Sequence, residues 1–294
     1  MKSQSSPAEI RSLLIKTIIA LLAFSWIWQG VGIALGGLDQ GNDLGFALTL
    51  GPVMFSPLIV GLIYTRLSGR RITDLPWKPK RPFYLLLGMA IPTCMALLMT
   101  ALWQGFGLGA SNILAFGEQG LILPKGPYVL GPDTQGGVMP IINLLATMTV
   151  FAVLNSVATI GEEGGWRGVF QADCISQLGT LRGIALLGFI WGIWHIPVNL
   201  TGYNYPSFPV FGAFVLFPML LILHSIILAW LTIEGKSLWP AVLFHAGINS
   251  VYIGTTQSLW ADKGLEAEFR IAEFAIVGLI SAFAWMRLRR VTQG

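Results

Sequence analysis

Charge is the first shortage in this sequence: of 294 residues, 14 are Asp or Glu and 18 are Lys or Arg, 11% in all, against about a quarter in a soluble domain. So few charges cannot cover a water-soluble particle of this size, which excludes soluble enzymes and disordered chains alike. Cysteine is nearly missing as well. Cys94 and Cys174 have no paired spacing for a zinc finger. One sits in an apolar run and the other in a predicted cytoplasmic segment, so two free thiols are expected. No repeat of fixed period and no glycine-rich phosphate loop is present, which weighs against transporters and nucleotidases. Nor do basic residues form a patch interleaved with aromatics away from the predicted membrane ends, so nucleic acid is not an expected partner.

What remains is apolar. Hydrophobic residues make up 54% of the chain and mean hydropathy is +0.69, the composition of a polytopic membrane protein. The 35 Gly and 16 Pro fit it, because small residues let membrane helices pack closely. A hydrocarbon layer about 30 Å thick needs roughly 20 apolar residues per helix. Eight runs answer to that, at about 13–35, 45–65, 83–106, 139–160, 183–200, 210–233, 238–256 and 271–287, the fifth being short. The expected fold class is therefore all-α, a bundle of about eight transmembrane helices forming a single integral-membrane domain over 1–294.

With the N-terminus in the cytoplasm, 15 of the 18 basic residues fall on that side: Lys2, Arg11, Lys16, Arg66, Arg70, Arg71, Lys78, Lys80, Arg81, Arg167, Arg182, Lys236, Arg287, Arg289 and Arg290. Lys125, Lys263 and Arg270 face outward. This asymmetry follows the positive-inside rule and predicts a multi-pass protein of the inner (cytoplasmic) membrane with both termini cytoplasmic. The apolar stretch beginning near Thr17 is read as an uncleaved first helix, since seven further spans follow. The loop 107–138, rich in Gly and Pro and charged only at Glu118, Lys125 and Asp133, is expected to line or cap the outer face.

Ionisable groups inside a membrane bundle are costly and mark candidate sites. Between residues 139 and 256 they are Glu162, Glu163, Arg167, His195, His224 and His245, joined by the amides Asn155, Asn199 and Asn249. Adjacent helical residues point about 100° apart, so Glu162 and Glu163 cannot face one point. Glu163 stands four residues before Arg167, the favourable order for an ion pair on one helical face. That bond leaves Glu162 unpaired, with Asn155 two turns earlier on nearly the same face, and makes it the candidate general base. Trp191, His195 and Asn199 recur every four residues if the helix continues past Pro197, which proline opposes. His245 and Asn249 also stand four apart. Together a carboxylate, two imidazoles and an amide could activate water and hold a developing oxyanion, the logic of amide hydrolysis. His224 is read as an interhelical hydrogen-bonding group, and Trp191, Trp194 and Trp239 as packing or interface anchors.

The pattern Glu162-Glu163-…-Arg167, Trp191-…-His195 and His245-…-Asn249, each in a hydrophobic segment, resembles the CAAX protease and bacteriocin-processing family of intramembrane glutamic endopeptidases. Trp166-Arg167-Gly168-Val169-Phe170-Gln171 and the stretch from Leu238 to His245 also read like bacterial members. The resemblance implies a helical bundle around a conical cavity, with a CAAX-protease-like catalytic core at 139–256. In it Glu162 and His195 activate water, His245 and Asn249 form the oxyanion hole, and Glu163 and Arg167 support them. It further implies a peptide or protein substrate, lipid-modified in the eukaryotic branch, met among membrane lipids, with no cofactor. Two departures stand out: Trp191 replaces the family's usual Phe, and Gly164-Gly165 is expected to loosen the first motif. Competing readings are a zinc protease ligated by two histidines and a glutamate, a non-proteolytic binding or bacteriocin-immunity protein, and, more distantly, a transporter.

Overall fold

The computed structural model describes residues 6–118, 120–126, 128–131, 137–261 and 264–293; Lys2, Asp133 and Lys263 lie outside them. Helix α1 (Pro7–Ala34) starts from a reciprocal cap, in which Glu9 N–H donates to Ser6 Oγ and the Ser6 N–H to Glu9, with Pro7 in the first turn where its missing N–H is harmless. Helix α2 (Asp43–Leu67) is capped by Asn42, whose side chain accepts the Gly45 N–H. It carries Pro52 and Pro57 internally, as membrane helices tolerate. Helix α3 (Pro82–Gly105) again begins with proline. A small antiparallel hairpin, β1 (Ala115–Gly117) and β2 (Gly120–Ile122), follows with Phe116 opposite Leu121.

The second half is built from broken or bulged helices. Helix α4 (Met139–Leu178) is continuous in direction but contains a π turn at Trp166–Phe170. Helix α5 (Thr180–Trp194) is followed by a five-residue α6 (Ile196–Leu200). Helix α7 (Pro209–Gly235) has a π turn at Gly212–Leu216. Helix α8 runs Trp239–Gly247, passes through a π turn at Ile248–Tyr252 and continues over Ile253–Trp260. The chain ends in α9 (Glu266–Gln293).

The protein is thus an all-helical polytopic membrane protein. Among the described residues six helices are long and apolar enough to cross a membrane, namely α1, α2, α3, α4, α7 and α9. Of the eight runs read from the sequence, the fifth and seventh differ. The fifth breaks at His195, two residues before Pro197, leaving a 15-residue helix, about 22 Å long and short of the hydrocarbon thickness. The seventh corresponds to α8, which continues through its π turn but is not among the six.

Small residues decide how α4 meets α2. A Cβ on Gly161 would lie 2.6 Å from the Met54 carbonyl oxygen, one on Gly164 2.7 Å from Leu58 Cδ1, and one on Gly165 against the backbone of Pro57. Gly164-Gly165, expected to loosen the first motif, lies on the contact face on which α4 and α2 close. None of the described residues of the loop 107–138 lines the central cavity. Leu114, Leu123 and Tyr128 pack with Leu144 of α4, and the Leu130 N–H and Gly131 C=O are both satisfied by the Asn143 amide.

Candidate active site

Helices α2, α4, α5, α7, α8 and α9 all line a cavity of about 790 Å³, whose wall includes Glu162, His195, His245 and Asn249 and, on α9, Arg270 and Glu273. Glu162 is only 3% exposed and lies well inside the 40-residue α4. It is thus a buried group and not a charge at the end of a span. Its carboxylate accepts a hydrogen bond from Trp191 Nε1 at 2.8 Å. Asn155 shares the cavity wall but makes no such bond, and its Oδ1 has no partner among the described residues.

Glu163 points away from the cavity. Its Oε1 accepts from Arg167 Nη1 at 3.1 Å and from His245 Nδ1 at 2.9 Å, and neither the Glu163 nor the Arg167 side chain is exposed at all. Arg167 also donates to Ser225 Oγ at 2.8 Å and lies 4.2 Å over the Trp191 ring. The spacing argument thus describes the geometry: the second glutamate pairs with the arginine and leaves the first to the cavity. Arg167 is consequently a buried counter-ion, although the sequence placed it among the cytoplasmic-side charges. Arg270, placed outside, is also internal, with its side chain 13% exposed beside Glu266 and Glu273. Removing both from the tally leaves fourteen basic residues against two, so the charge asymmetry survives.

The break in α5 positions His195. Proline at 197 cannot donate to the carbonyl of Ile193, and the His195 N–H turns to Gly192 O, so the carbonyls of Trp191, Ile193 and Trp194 are left for other donors. Each finds one. His195 Nδ1 meets Trp191 O at 2.8 Å, Trp26 Nε1 donates to Ile193 O at 3.0 Å, and Gln29 Nε2 donates to Trp194 O at 3.1 Å. The Gln29 carbonyl oxygen accepts the Val198 N–H on the far side of the break. Helix α1 therefore holds the kink that presents His195, through a glutamine that no local motif announces. Because a carbonyl only accepts, His195 carries its proton on Nδ1, which leaves Nε2 as the basic nitrogen. Asn199 does not follow His195 into the cavity; it is buried beyond the break, where its Oδ1 accepts from Asn204.

The two histidines differ in what stands behind the ring. His195 is backed by a neutral carbonyl, His245 by the Glu163 carboxylate. A carboxylate stabilises an imidazolium as negative charge develops across the site, the relation of acid to histidine in serine hydrolases. His245 is thereby suited to donate to an oxyanion and His195 to accept a proton. Asn249 joins His245 on the cavity wall from within the π turn of α8, a distortion frequent at functional sites.

Sequence reasoning missed three contributors. Trp191, read as a packing anchor, bonds Glu162, covers Arg167 and meets the His245 ring edge-on at 5.2 Å. Ser225 and Gln29 lie far from the motifs along the chain, and only tertiary contact reveals them. His224, expected to bond between helices, instead lines the cavity with its Nε2 unpartnered. The arrangement for zinc is not assembled, since among the described residues no three His, Cys, Asp or Glu side chains are grouped to hold a metal ion. Cys94 and Cys174 are free.

No curated protein matches this sequence. Residues 143–251 match a family model, described as Type II CAAX prenyl endopeptidase Rce1-like. The matched segment begins in the first turns of α4 and ends within the π turn of α8. The matched residues 143–251, which hold Glu162, Glu163, Arg167, Trp191, His195, His245 and Asn249, are thus similar to the Rce1-like type II CAAX prenyl endopeptidases.

Proposed function

We propose that this chain is a glutamate-dependent intramembrane endopeptidase that hydrolyses a peptide bond of a membrane-associated protein or peptide. The observation that carries the reading is that Glu162, His195, His245 and Asn249 line one cavity while Glu163 and Arg167 stand behind it. In this mechanism Glu162, aided by His195 Nε2, takes a proton from a water molecule whose oxygen attacks the peptide carbonyl carbon. His245 and Asn249 donate hydrogen bonds to the resulting oxyanion. The C–N bond then breaks, and the proton held by Glu162 passes to the departing amine. The Glu163–Arg167 pair fixes His245 and α7 without touching substrate. The asymmetry of basic residues supports a cytoplasmic-membrane protein with both termini cytoplasmic.

The test compares membranes carrying the wild-type chain with membranes carrying Glu162→Gln at equal abundance, by mass spectrometry of new peptide termini. Termini that appear only with the wild type, by a margin of at least about a hundredfold for a lost general base, and that persist in the presence of chelators, are the expected result. Identical termini in both membranes would overturn the proteolytic reading in favour of a binding or immunity role. Loss of cleavage to chelators would move it to a metal-dependent protease.

A further inference from the structure

His224 is the histidine of the cavity that the proposed reaction leaves without a task. It stands on α7 among the lining residues that also include Glu162 and His245. The residue is 6% exposed, its ring meets Phe244 edge to face at 5.7 Å, and its Nε2 is buried without a hydrogen-bond partner among the described residues. The other two imidazoles are held, His195 by a carbonyl and His245 by a carboxylate. The neighbouring Ser225 is also engaged, with Arg167.

A buried polar atom that no protein group satisfies is costly unless something in the cavity supplies its hydrogen bond. Apolar side chains fill the rest of this wall, Leu220, Leu221 and Leu228 among them, so packing alone would be served as well by another leucine. Asn155, across the cavity on α4, adds a second unpartnered atom, Oδ1. A neutral imidazole offers one donor and one acceptor. Those are the complement of a peptide amide, whereas an acyl or prenyl chain presents neither.

We infer that His224 is a substrate-binding residue, which hydrogen-bonds the main chain of an extended peptide beside the bond attacked by the water that Glu162 and His195 activate. The inference rests on the peptidase reading of the cavity. It gives His224→Leu opposite effects on folding and binding. Leucine removes the unpartnered nitrogen, so the unliganded protein gains stability, while the peptide loses a partner.

The experiment uses the full chain in detergent and a set of phosphinate tetrapeptides with hydrophobic side chains, whose tetrahedral phosphorus mimics the hydrated peptide bond. For His224→Leu we expect a higher Tm than wild type and a Kd weakened by about tenfold, the loss of one hydrogen bond. His224→Gln, which keeps a donor and an acceptor, restores most of the affinity. His224→Met repeats the comparison where leucine packs badly. A raised Tm with unchanged Kd would overturn the inference and leave His224 a packing residue. Asn249→Ala, measured alongside, separates the two levels. Weakening by Asn249→Ala but not by His224→Leu sinks this inference and spares the peptidase reading. If no phosphinate binds the wild-type chain, or if neither variant changes binding, both fall together.

Discussion

Two arginines among the described residues, Arg167 buried and Arg270 with its side chain 13% exposed, each sit with two glutamates, and only one of the clusters is built like a reactive site. Arg167 follows Glu163 by four residues and Arg270 follows Glu266 by four. Each guanidinium lies over an aromatic ring, Trp191 at 4.2 Å and Tyr205 at 4.5 Å. Around Arg270 both carboxylates turn to the arginine, Glu273 at 2.8 Å and Glu266 at 3.7 Å, and Glu266 also accepts the Ser207 N–H. Arg270 further donates to Asn204 O, so the whole cluster braces α9 against the segment that follows α6. Around Arg167 only Glu163 is taken up. Glu162 is left to the cavity, and a histidine replaces it on the shared carboxylate. The charges are alike in kind and number. What distinguishes the candidate site is a carboxylate not consumed by the arginine and an imidazole beside it.

The comparison can be broken most forcefully by paired substitutions. Glu163→Gln removes the negative charge that the buried Arg167 and His245 share, so stability in detergent should fall by about 3–5 kcal/mol and cleavage should be lost. Glu273→Gln leaves Arg270 with Glu266; thermal unfolding should show a smaller loss, and cleavage per folded molecule should be unchanged. Abolished cleavage in a folded Glu273→Gln protein would mean that both clusters serve the reaction. A middle-sized effect is expected from Gly165→Ala, which pushes a methyl group into the Pro57 backbone at a cost of about 1–3 kcal/mol for an overfilled contact. An unchanged Tm would show that α4 and α2 can separate freely. Trp191→Phe should do least. It keeps a ring over Arg167 and deletes the N–H held by Glu162, and a drop of about tenfold in cleavage, one hydrogen bond's worth, with little change in Tm would place the indole's contribution at Glu162 and not in packing.

Local periodicity made part of this legible beforehand. The four-residue spacing of Glu163 and Arg167 is a property of one helix, so it could be read without knowing the fold, and the division between the two glutamates followed from it. Pro197 gave warning that the helix through His195 would stop, and it does, which took Asn199 out of the cavity. Partners drawn from other helices carried no such signal. Gln29 lies 166 residues before His195 in the chain, and nothing in the sequence near it says that it bridges a break in another helix. Glycines at 164 and 165 read as looseness because a sequence shows the missing side chain and not the neighbouring helix that requires it to be missing. Arg270 was placed by a rule about exposed charges that does not apply once two carboxylates bury it. The π turns of α4, α7 and α8 had no counterpart in the hydropathy pattern at all.

All three histidines of the chain lie in the wall of one cavity. The molecule therefore has no imidazole elsewhere to confuse a measurement. Selective isotope labelling of histidine would yield ring signals from the cavity alone, one set per residue and each removable by a single substitution. An imidazole-directed reagent would likewise report cavity access without background. The scarcity of a residue type makes the native protein its own spectroscopic probe.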